Sequence, residues 1–486
     1  MSVHGSTPIK FSEADDSRPF YRKIVDHPTG IVLLVMVVLI AAAQMWHLAV
    51  AAMPATDESI HVEVGRMSWE GRMPYRDFSY GHPLLFPLLI GSGLKLVGHM
   101  WPLRMFYAAL NCLMALPLYV IFRKMTGGDR IAAFLGAFFF LLYHEMMHND
   151  ARFFASRQIV NMFLIGFLYW GVVRENHRGS WFLQLLCAVG AVMTHLTAVV
   201  GLVAFSLAHI ATQRSMPMLR RYIGMGCVVG AIFCLFLLMF PRAYERLILV
   251  HFGSIVSSPL YPRFLPFVGS RDAFFYVLSS ISLLVAIVAW SKWRWWALCM
   301  VIIVASVLFP PEYFPHYYVI GAIPFAFGVT LFAVFLRWIE SESLFAPTIL
   351  GVMIIIQTVI VLPSLLQEWM GNRDVRYYEL AEYVSKLPGP LLTFTEPIYS
   401  VDAHQKAVHF YLRADARTYA PLPSEEIQAL ADQACTILLS GRDQSYVPGA
   451  LQSEWEKKYK EIEYPGPERI FITNNAQCLP ASMTIR

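Results

Sequence analysis

Charge is what this chain has least of. Asp, Glu, Lys and Arg make up 15% of its 486 residues, where a soluble domain carries about 25%. A larger soluble core does not account for the deficit, because the apolar residues arrive in runs. Ile31 to Val50 is a stretch of twenty residues without a formal charge, and as a helix it spans about 30 Å, the hydrocarbon thickness of a bilayer. Also lacking are a dense basic stripe and any nucleic-acid motif. The net charge of +4 is spread along the chain, which argues against a nucleic-acid partner. No internal repeat, low-complexity tract or paired Cys/His spacing of the zinc-ribbon kind is present. What is present is a sequence 57% hydrophobic with a mean hydropathy of +0.50.

The apolar runs predict a polytopic α-helical membrane protein with about eleven transmembrane helices. They fall at 29–51, 102–122, 131–146, 157–173, 181–195, 196–212, 221–240, 272–290, 296–311, 316–336 and 345–366. The fifth and sixth form one long stretch broken near Thr194-His195. Residues 1–28 are polar and hold Lys10, Arg18, Arg22 and Lys23. The run that follows is too long for a signal-peptide core and has no small-residue cleavage site, so it reads as a retained first span.

Short loops carrying Arg123, Lys124 and Arg130, then Arg174 and Arg178, then Arg214, Arg220 and Arg221, then Lys292 and Arg294, then Arg337 are assigned to the cytoplasm by the positive-inside rule. The N-terminus is then cytoplasmic, while segments 52–101, 144–157 and 241–271 and the tail lie outside. The membrane domain is expected over 29–370, with a small extracytoplasmic (periplasmic) α/β domain over 371–486. In that domain a helix is predicted over 374–387, strands at 391–395, 436–440 and 469–473, and a helix beginning at Glu425 after Ser424. Cys112, Cys187, Cys227, Cys234 and Cys299 fall in spans and read as small buried hydrophobes. Cys435 and Cys478 share the outer domain, where a disulfide is permitted but not required.

The first outer segment concentrates the chemistry. Asp57-Glu58 opens a stretch with helical spacing of Ile60, Val64 and Met67, and His61 lies four residues after Asp57 on a neighbouring face. Then come Gly71, Pro74-Tyr75-Arg76-Asp77-Phe78 and His82-Pro83-Leu84, followed by an apolar stretch over 84–97 that is short for a span. Taken alone, two acids at a helix start are more often caps than catalysts. A second outer segment holds His144, Glu145, His148, Asp150, Arg152 and Arg157. Its His-Glu-x-x-His spacing literally matches a zinc-protease pattern, so an intramembrane metalloprotease using His144, Glu145 and His148 is one alternative. A solvated, interface-anchored loop is another. A third segment carries Arg242, Arg246, His251, Arg263 and Arg271, cations on the side that the positive-inside rule disfavours. They suit either anion contact or headgroup snorkelling. Glu312 to Tyr318, with His316 and Tyr317, opens a span at the outer face, where aromatic belts occur without function.

The ordered set of Asp-Glu after the first span, Gly-x-x-Pro-Tyr-Arg-Asp-Phe and His-Pro-Leu, over about 57–98, resembles the GT-C glycosyltransferase superfamily. It is similar in particular to bacterial relatives of the protein O-mannosyltransferases and the lipid A aminoarabinose transferase. The resemblance implies an inverting transferase with an outer-face active site, taking sugar from a polyprenyl-phosphate donor to a glycan, lipid or protein acceptor. It puts the general base at Asp57, with Glu58 beside it and Asp77 in support. Glu145 or Asp150 would orient sugar or acceptor. Arg152, Arg157, Arg263, His316 and Tyr317 would surround the donor phosphate. Some relatives have a phosphate-binding Lys where this chain has His82, and a neutral His is the weaker anion partner. No cofactor is firmly implied, and a divalent cation is left open. The chemistry is coherent, since a sugar hydroxyl attacking an anomeric carbon must lose a proton, and an ionised carboxylate can take it. Arg forks match the oxygens of the departing phosphate. A transporter or lipid flippase predicts charges within spans, and the sequence offers few, Arg104 and His195 being near span ends.

Overall fold

Backbone that leaves water must satisfy its polar groups internally, and an unbroken apolar run does so as helix. In the computed structural model the described residues are 19–50, 56–77, 80–98, 100–143, 156–244, 247, 272–306, 320–339, 345–369, 375–393, 424–439, 447–465 and 468–473. The helices are α1 (Phe20–Val25), α2 (Pro28–Val50), α3 (Thr56–Trp69), α4 (Leu85–Val97), α5 (Met100–Leu113), α6 (Ala115–Met125), α7 (Arg130–Leu142), α8 (Ser156–Leu168), α9 (Ser180–Thr194), α10 (Ala198–Gln213), α11 (Met216–Met239) and α12 (Pro241–Tyr244). After these come α13 (Ala273–Ala289), α14 (Arg294–Ser306), α15 (Ala322–Ile339), α16 (Phe345–Trp369), α17 (Val375–Ser385), α18 (Ser424–Ala431) and α19 (Gly449–Lys458).

Within the described residues, each predicted span overlaps helix. The expected break between the fifth and sixth falls at His195, whose extended backbone (φ −160°, ψ 134°) stops α9. The His195 ring Nδ1 lies 2.8 Å from Thr197 Oγ1 and accepts the Thr197 N–H at 3.2 Å. Among the described residues three helical stretches, Pro28–Trp46, Pro102–Met125 and Met216–Met239, are long and apolar enough to cross a membrane alone. The shorter apolar helices have 10–17 residues, at most about 25 Å of rise.

The chain forms two compact units: Met1–Ala51 with Arg104–Met239 and His251–Gly371, and Ala52–Leu103 with Phe240–Val250 and Asn372–Arg486. In the first, α7 packs along α15, and α15 along α13. Gly136 makes the α7–α15 approach possible, since a Cβ there would stand 2.0 Å from Thr330 Oγ1 and 2.7 Å from the Ala326 carbonyl oxygen. Small residues at crossings are how helices pack closely in a membrane. At one end of these helices Asp129 accepts the Ala132 N–H as the cap of α7 and pairs with Arg337 at 2.6 Å. The Trp293 indole donates to the Met125 carbonyl at 3.2 Å. Arg123, Lys124, Arg130, Lys292 and Arg294 flank these contacts in sequence, so three of the basic loops meet at one end of these helices.

At the opposite end, Tyr143 follows α7, Phe275 and Tyr276 open α13, and Phe325 opens α15. These four rings form one cluster, with Tyr143–Phe275 centroids 5.3 Å apart, Phe275–Phe325 5.7 Å and Tyr276–Phe325 4.6 Å. The Tyr143 and Tyr276 hydroxyls are 2.9 Å apart. One packed cluster therefore ties together the roots of the segments that begin after Tyr143, end before Asp272 and end before Ile320.

In the second unit the tail contains a four-stranded sheet, β1 (Leu391–Leu392), β2 (Thr436–Leu439), β3 (Lys460–Ile462) and β4 (Arg469–Ile472), in the order β1-β2-β4-β3. β1 and β2 are parallel, and the other pairs are antiparallel, with Thr436 opposite Ile472 and Leu439 opposite Arg469. Leu392, Ile437, Leu439 and Phe471 pack with Ile427, Leu451 and Trp455 of α18 and α19. Leu391, Leu438 and Ile470 on the alternate positions are also buried. The strands predicted at 391, 436 and 469 are present; β3 is an addition. Cys435 is disulfide-bonded, whereas the five cysteines of the predicted spans are free thiols; Cys478 lies outside the described residues.

Candidate active site

The first outer segment folds as two helices packed side by side and running in the same direction, with His61 near Phe86, Gly65 against Gly91 and Trp69 under Lys95. α3 opens at Thr56, so Asp57 and Glu58 occupy its first turn, where the positive end of the helix dipole favours carboxylates. Their side chains, with Phe78, lie outside the described residues. From His61 to Gly65 every side chain of α3 is buried. The helix has to bury polar groups to achieve this, and it satisfies them locally. Glu63, fully buried, accepts from Arg66 Nε at 3.0 Å, and Arg66 also reaches Glu70 at 2.8 Å.

α4 packs along α3 at a crossing that admits no side chain on either side. A Cβ on Gly65 would meet the Gly91 nitrogen at 2.7 Å, and one on Gly91 the Gly65 carbonyl oxygen at 2.2 Å. The 84–97 stretch, short for a span, is therefore the partner helix of α3. Pro87 is accommodated in its first turn, where no intrahelical N–H bond is lost. Lys95 sits 4.7 Å above the Trp69 ring, tying the far ends of the two helices.

The connection between α3 and α4 is held by side chains to backbone. Asp77 accepts the Met73 N–H at 2.7 Å, and Arg76 grips the same carboxylate at 2.8 Å. The Arg76 hydrogen bond, then the Met73 N–H, lower the Asp77 carboxyl to about 2. Both oxygens of Asp77 thus have local partners that close a turn. Tyr75 adopts positive φ (65°), unusual for a residue with a Cβ, and is buried. Its hydroxyl donates to the His82 carbonyl, and its ring stands 6.1 Å from that of Phe240.

His82 is half-buried. Its ring lies 5.4 Å from that of His61 and 5.6 Å from that of Tyr80. His61 Nδ1 is 2.8 Å from the Tyr80 hydroxyl, and the His61 ring meets Phe86 of α4 edge-on at 4.8 Å. Tyr80 is fully buried, and burial first, then the neighbouring Tyr75, pushes its hydroxyl pKa well up. The structure thus brings together His61, Tyr75, Tyr80 and His82. Sequence reasoning placed His82 in the site and noted His61, but missed both tyrosines. The available signal was two aromatic residues flanking the turn just before His82-Pro83.

Of the other predicted site residues, Arg157 is half-buried in the first turn of α8. Glu145, Asp150, Arg152, Arg263, His316 and Tyr317 lie outside the described residues, as do His144 and His148 of the alternative zinc reading. Their segments are 144–155, 248–271 and 307–319, whose roots the Tyr143–Phe325 cluster joins. Among the described residues no three His, Cys, Asp or Glu side chains group as metal ligands.

No protein-family model and no curated protein sequence matches the chain. Solved structures do. ArnT from Cupriavidus metallidurans bound to undecaprenyl phosphate superposes with a TM-score of 0.62 at 14% identity, covering 93% of this chain and 100% of that one. The same protein in its apo state gives 0.59 at 14% identity, over 92% and 99%. The archaeal oligosaccharyltransferase AglB from Archaeoglobus fulgidus, in complex with an inhibitory peptide and a dolichol-phosphate, gives 0.54 at 10% identity, over 93% and 75%. At such identities the likeness is one of fold alone: the chain has the fold shared by ArnT and AglB, the GT-C fold.

Proposed function

We propose that this protein is a polytopic inner-membrane glycosyltransferase with about eleven crossings, cytoplasmic N-terminus and periplasmic C-terminal α/β domain. It transfers a sugar with inversion from a polyprenyl-phosphate donor to an extracytoplasmic glycan, lipid or protein acceptor. Asp57 is the general base, Glu58 supports it, and Arg152, Arg157, Arg263, His82 and His316 with Tyr317 neutralise and orient the donor phosphate. Glu145 and Asp150 orient the sugar or acceptor.

The observation that carries this reading is the aromatic cluster at one end of the bundle. Three segments far apart in sequence, each holding candidate phosphate or sugar ligands, are rooted together by Tyr143, Phe275, Tyr276 and Phe325. A donor phosphate needs several cationic side chains from one side, and the described residues that flank these three segments lie together. The acid pair is mounted on a helix buried along its middle, which fixes the backbone from which a base acts. Likeness over 93% of this chain to structures whose ligands are undecaprenyl phosphate and dolichol-phosphate supports the same class of donor.

The reading is tested by incubating the purified full-length chain in detergent with a panel of undecaprenyl-phosphate-linked radiolabelled sugars and an extract of its own envelope. Transfer of label to an acceptor, with release of undecaprenyl phosphate, is the expected result. Retention of the label on every donor, by protein that melts cooperatively, would overturn it.

Asp77 supports the site by shaping its loop. Its carboxyl is lowered by Arg76 and by the Met73 N–H, so the stabilisation these bonds provide is present above the unfolded-state value of about 4 and is lost as pH falls through about 2. Asp77→Asn at pH 7 weakens an exposed turn and should change transfer by less than about fivefold. A loss of several orders of magnitude in that assay would instead put Asp77 in contact with substrate.

A further inference from the structure

We propose that Gln158, in the first turn of α8, binds the phosphate of the lipid-linked donor; the inference deepens the reading of this protein as a transferase using such a donor and rests on it. α8 begins at Ser156, directly after segment 144–155, and its first turn contains no acidic residue. Successive residues of a helix are about 100° apart. Arg157, Asn161 and Gln158 therefore fall within one arc of about 100°, at the start of a helix whose remainder, Met162–Leu168, is apolar. The arc lies away from the face that packs on α9, where a Cβ on Gly166 would stand 2.8 Å from Cys187 Sγ and one on Gly190 2.5 Å from the Phe163 ring. Gln158 and Asn161 are each 1% exposed, so protein covers both amides.

A side-chain amide taken out of water costs free energy unless its hydrogen bonds are replaced, and in folded proteins the large majority are. Gln184 of α9 follows this rule. Its amide donates to the Phe167 carbonyl at 3.3 Å and to the Tyr222 hydroxyl at 3.2 Å, and it accepts from Arg221 at 2.8 Å. Gln158 does not follow it, because its amide nitrogen has no hydrogen-bond partner among the described residues. An apolar side chain of the same shape would serve the fold as well or better. The acceptor for this buried donor comes from outside the chain.

Three features define that acceptor. The first N–H groups of a helix and its dipole favour an anion at the N-terminus. A side chain in the first turn leans toward that terminus, so the Gln158 amide and the start of α8 serve the same space. Arg157, on the same arc, adds a permanent positive charge. Backbone and amide donors beside a guanidinium select negatively charged oxygens, and a phosphate offers several. Gln158 supplies a directed hydrogen bond without charge.

The test uses the purified full-length chain in detergent. Undecaprenyl phosphate should raise the melting midpoint of the unsubstituted protein, and inorganic phosphate at the same concentration should not. Gln158→Met keeps the side-chain length and removes the amide. It should melt at the same temperature or higher, and bind undecaprenyl phosphate about tenfold or more weakly. Gln158→Glu sets a carboxylate against the phosphate and should bind it more weakly still. With a radiolabelled undecaprenyl-phosphate sugar that the chain turns over, Gln158→Met should raise donor KM about tenfold while kcat is largely kept. A Gln158→Met chain that melts several degrees lower shows that the amide serves the fold, and overturns the proposal. So does undiminished binding of undecaprenyl phosphate by Gln158→Met, or tighter binding by Gln158→Glu than by Gln158→Met. In each of these cases transfer by the unsubstituted chain leaves the donor reading standing. Equal stabilisation by inorganic phosphate makes free phosphate the ligand and overturns the assignment to the donor. If the unsubstituted chain neither binds undecaprenyl phosphate nor transfers label, the donor reading fails and takes this inference with it.

Discussion

Asp57→Asn should abolish sugar transfer, by a factor of about 10² to 10⁴, in a protein that purifies and melts like the unsubstituted chain. The substitution separates the two readings that the sequence left open. If Asp57 served only the start of α3, Asn would serve nearly as well, since Asn and Asp are comparable capping residues and the lost charge–dipole term at a helix start is typically about 0.3–1 kcal/mol. If Asp57 takes the proton of the attacking hydroxyl, Asn fails, because a neutral amide has no lone pair basic enough to accept it. Glu58→Gln, next to it in the first turn, should lose less, because it leaves the proton acceptor in place. Rates for both variants against melting midpoints decide the matter, and normal turnover by Asp57→Asn would remove the assignment.

Gly91→Val should disable the enzyme through structure. A Cβ at position 91 falls 2.2 Å from the Gly65 carbonyl oxygen and within 3.1 Å of the Gly65 Cα. These are backbone atoms of a helix, with no flexible side chain to swing aside, so α4 must move off α3. Overpacking of this kind costs about 1–3 kcal/mol and sometimes more, well above the small propensity gain from removing a glycine from a helix. As the helices part, the Phe86 contact on His61 and the placement of the acid-bearing helix change with them. Expected together are a lower melting midpoint and a loss of transfer, with Gly65→Val behaving alike. A Gly91→Val protein with unaltered melting and turnover would show that this crossing does not hold the site.

The parts of the fold that were legible in the sequence were those set by local composition. Apolar runs located helix at each predicted span, and the break at His195 appeared where a His-Leu-Thr step interrupts the run. β2 and β4 showed themselves through buried β-branched and aromatic residues, whereas β3, Lys460–Ile462, is largely exposed and has no apolar alternation to betray it. The stretch at 84–97 is short for a span, and nothing in its composition gives its glycines a partner; in the structure Gly91 is the contact point with α3. In the site, Asp57 and Glu58 stood out by type and place. Tyr80 did not, because its partner His61 lies nineteen residues earlier, and no periodicity links a loop residue to a helix at that separation.

By itself the sequence determined that the chain is a set of apolar helices with a polar α/β tail, since run length and charge distribution act residue by residue and need no neighbour. It also determined which acids could act as a base. Tertiary structure alone decided which helix ends share an aromatic cluster, which two glycines let α3 and α4 meet, and which hydroxyl meets the His61 ring. Those are contacts between residues far apart in the chain, and packing geometry, unlike composition, is written in no local stretch of it.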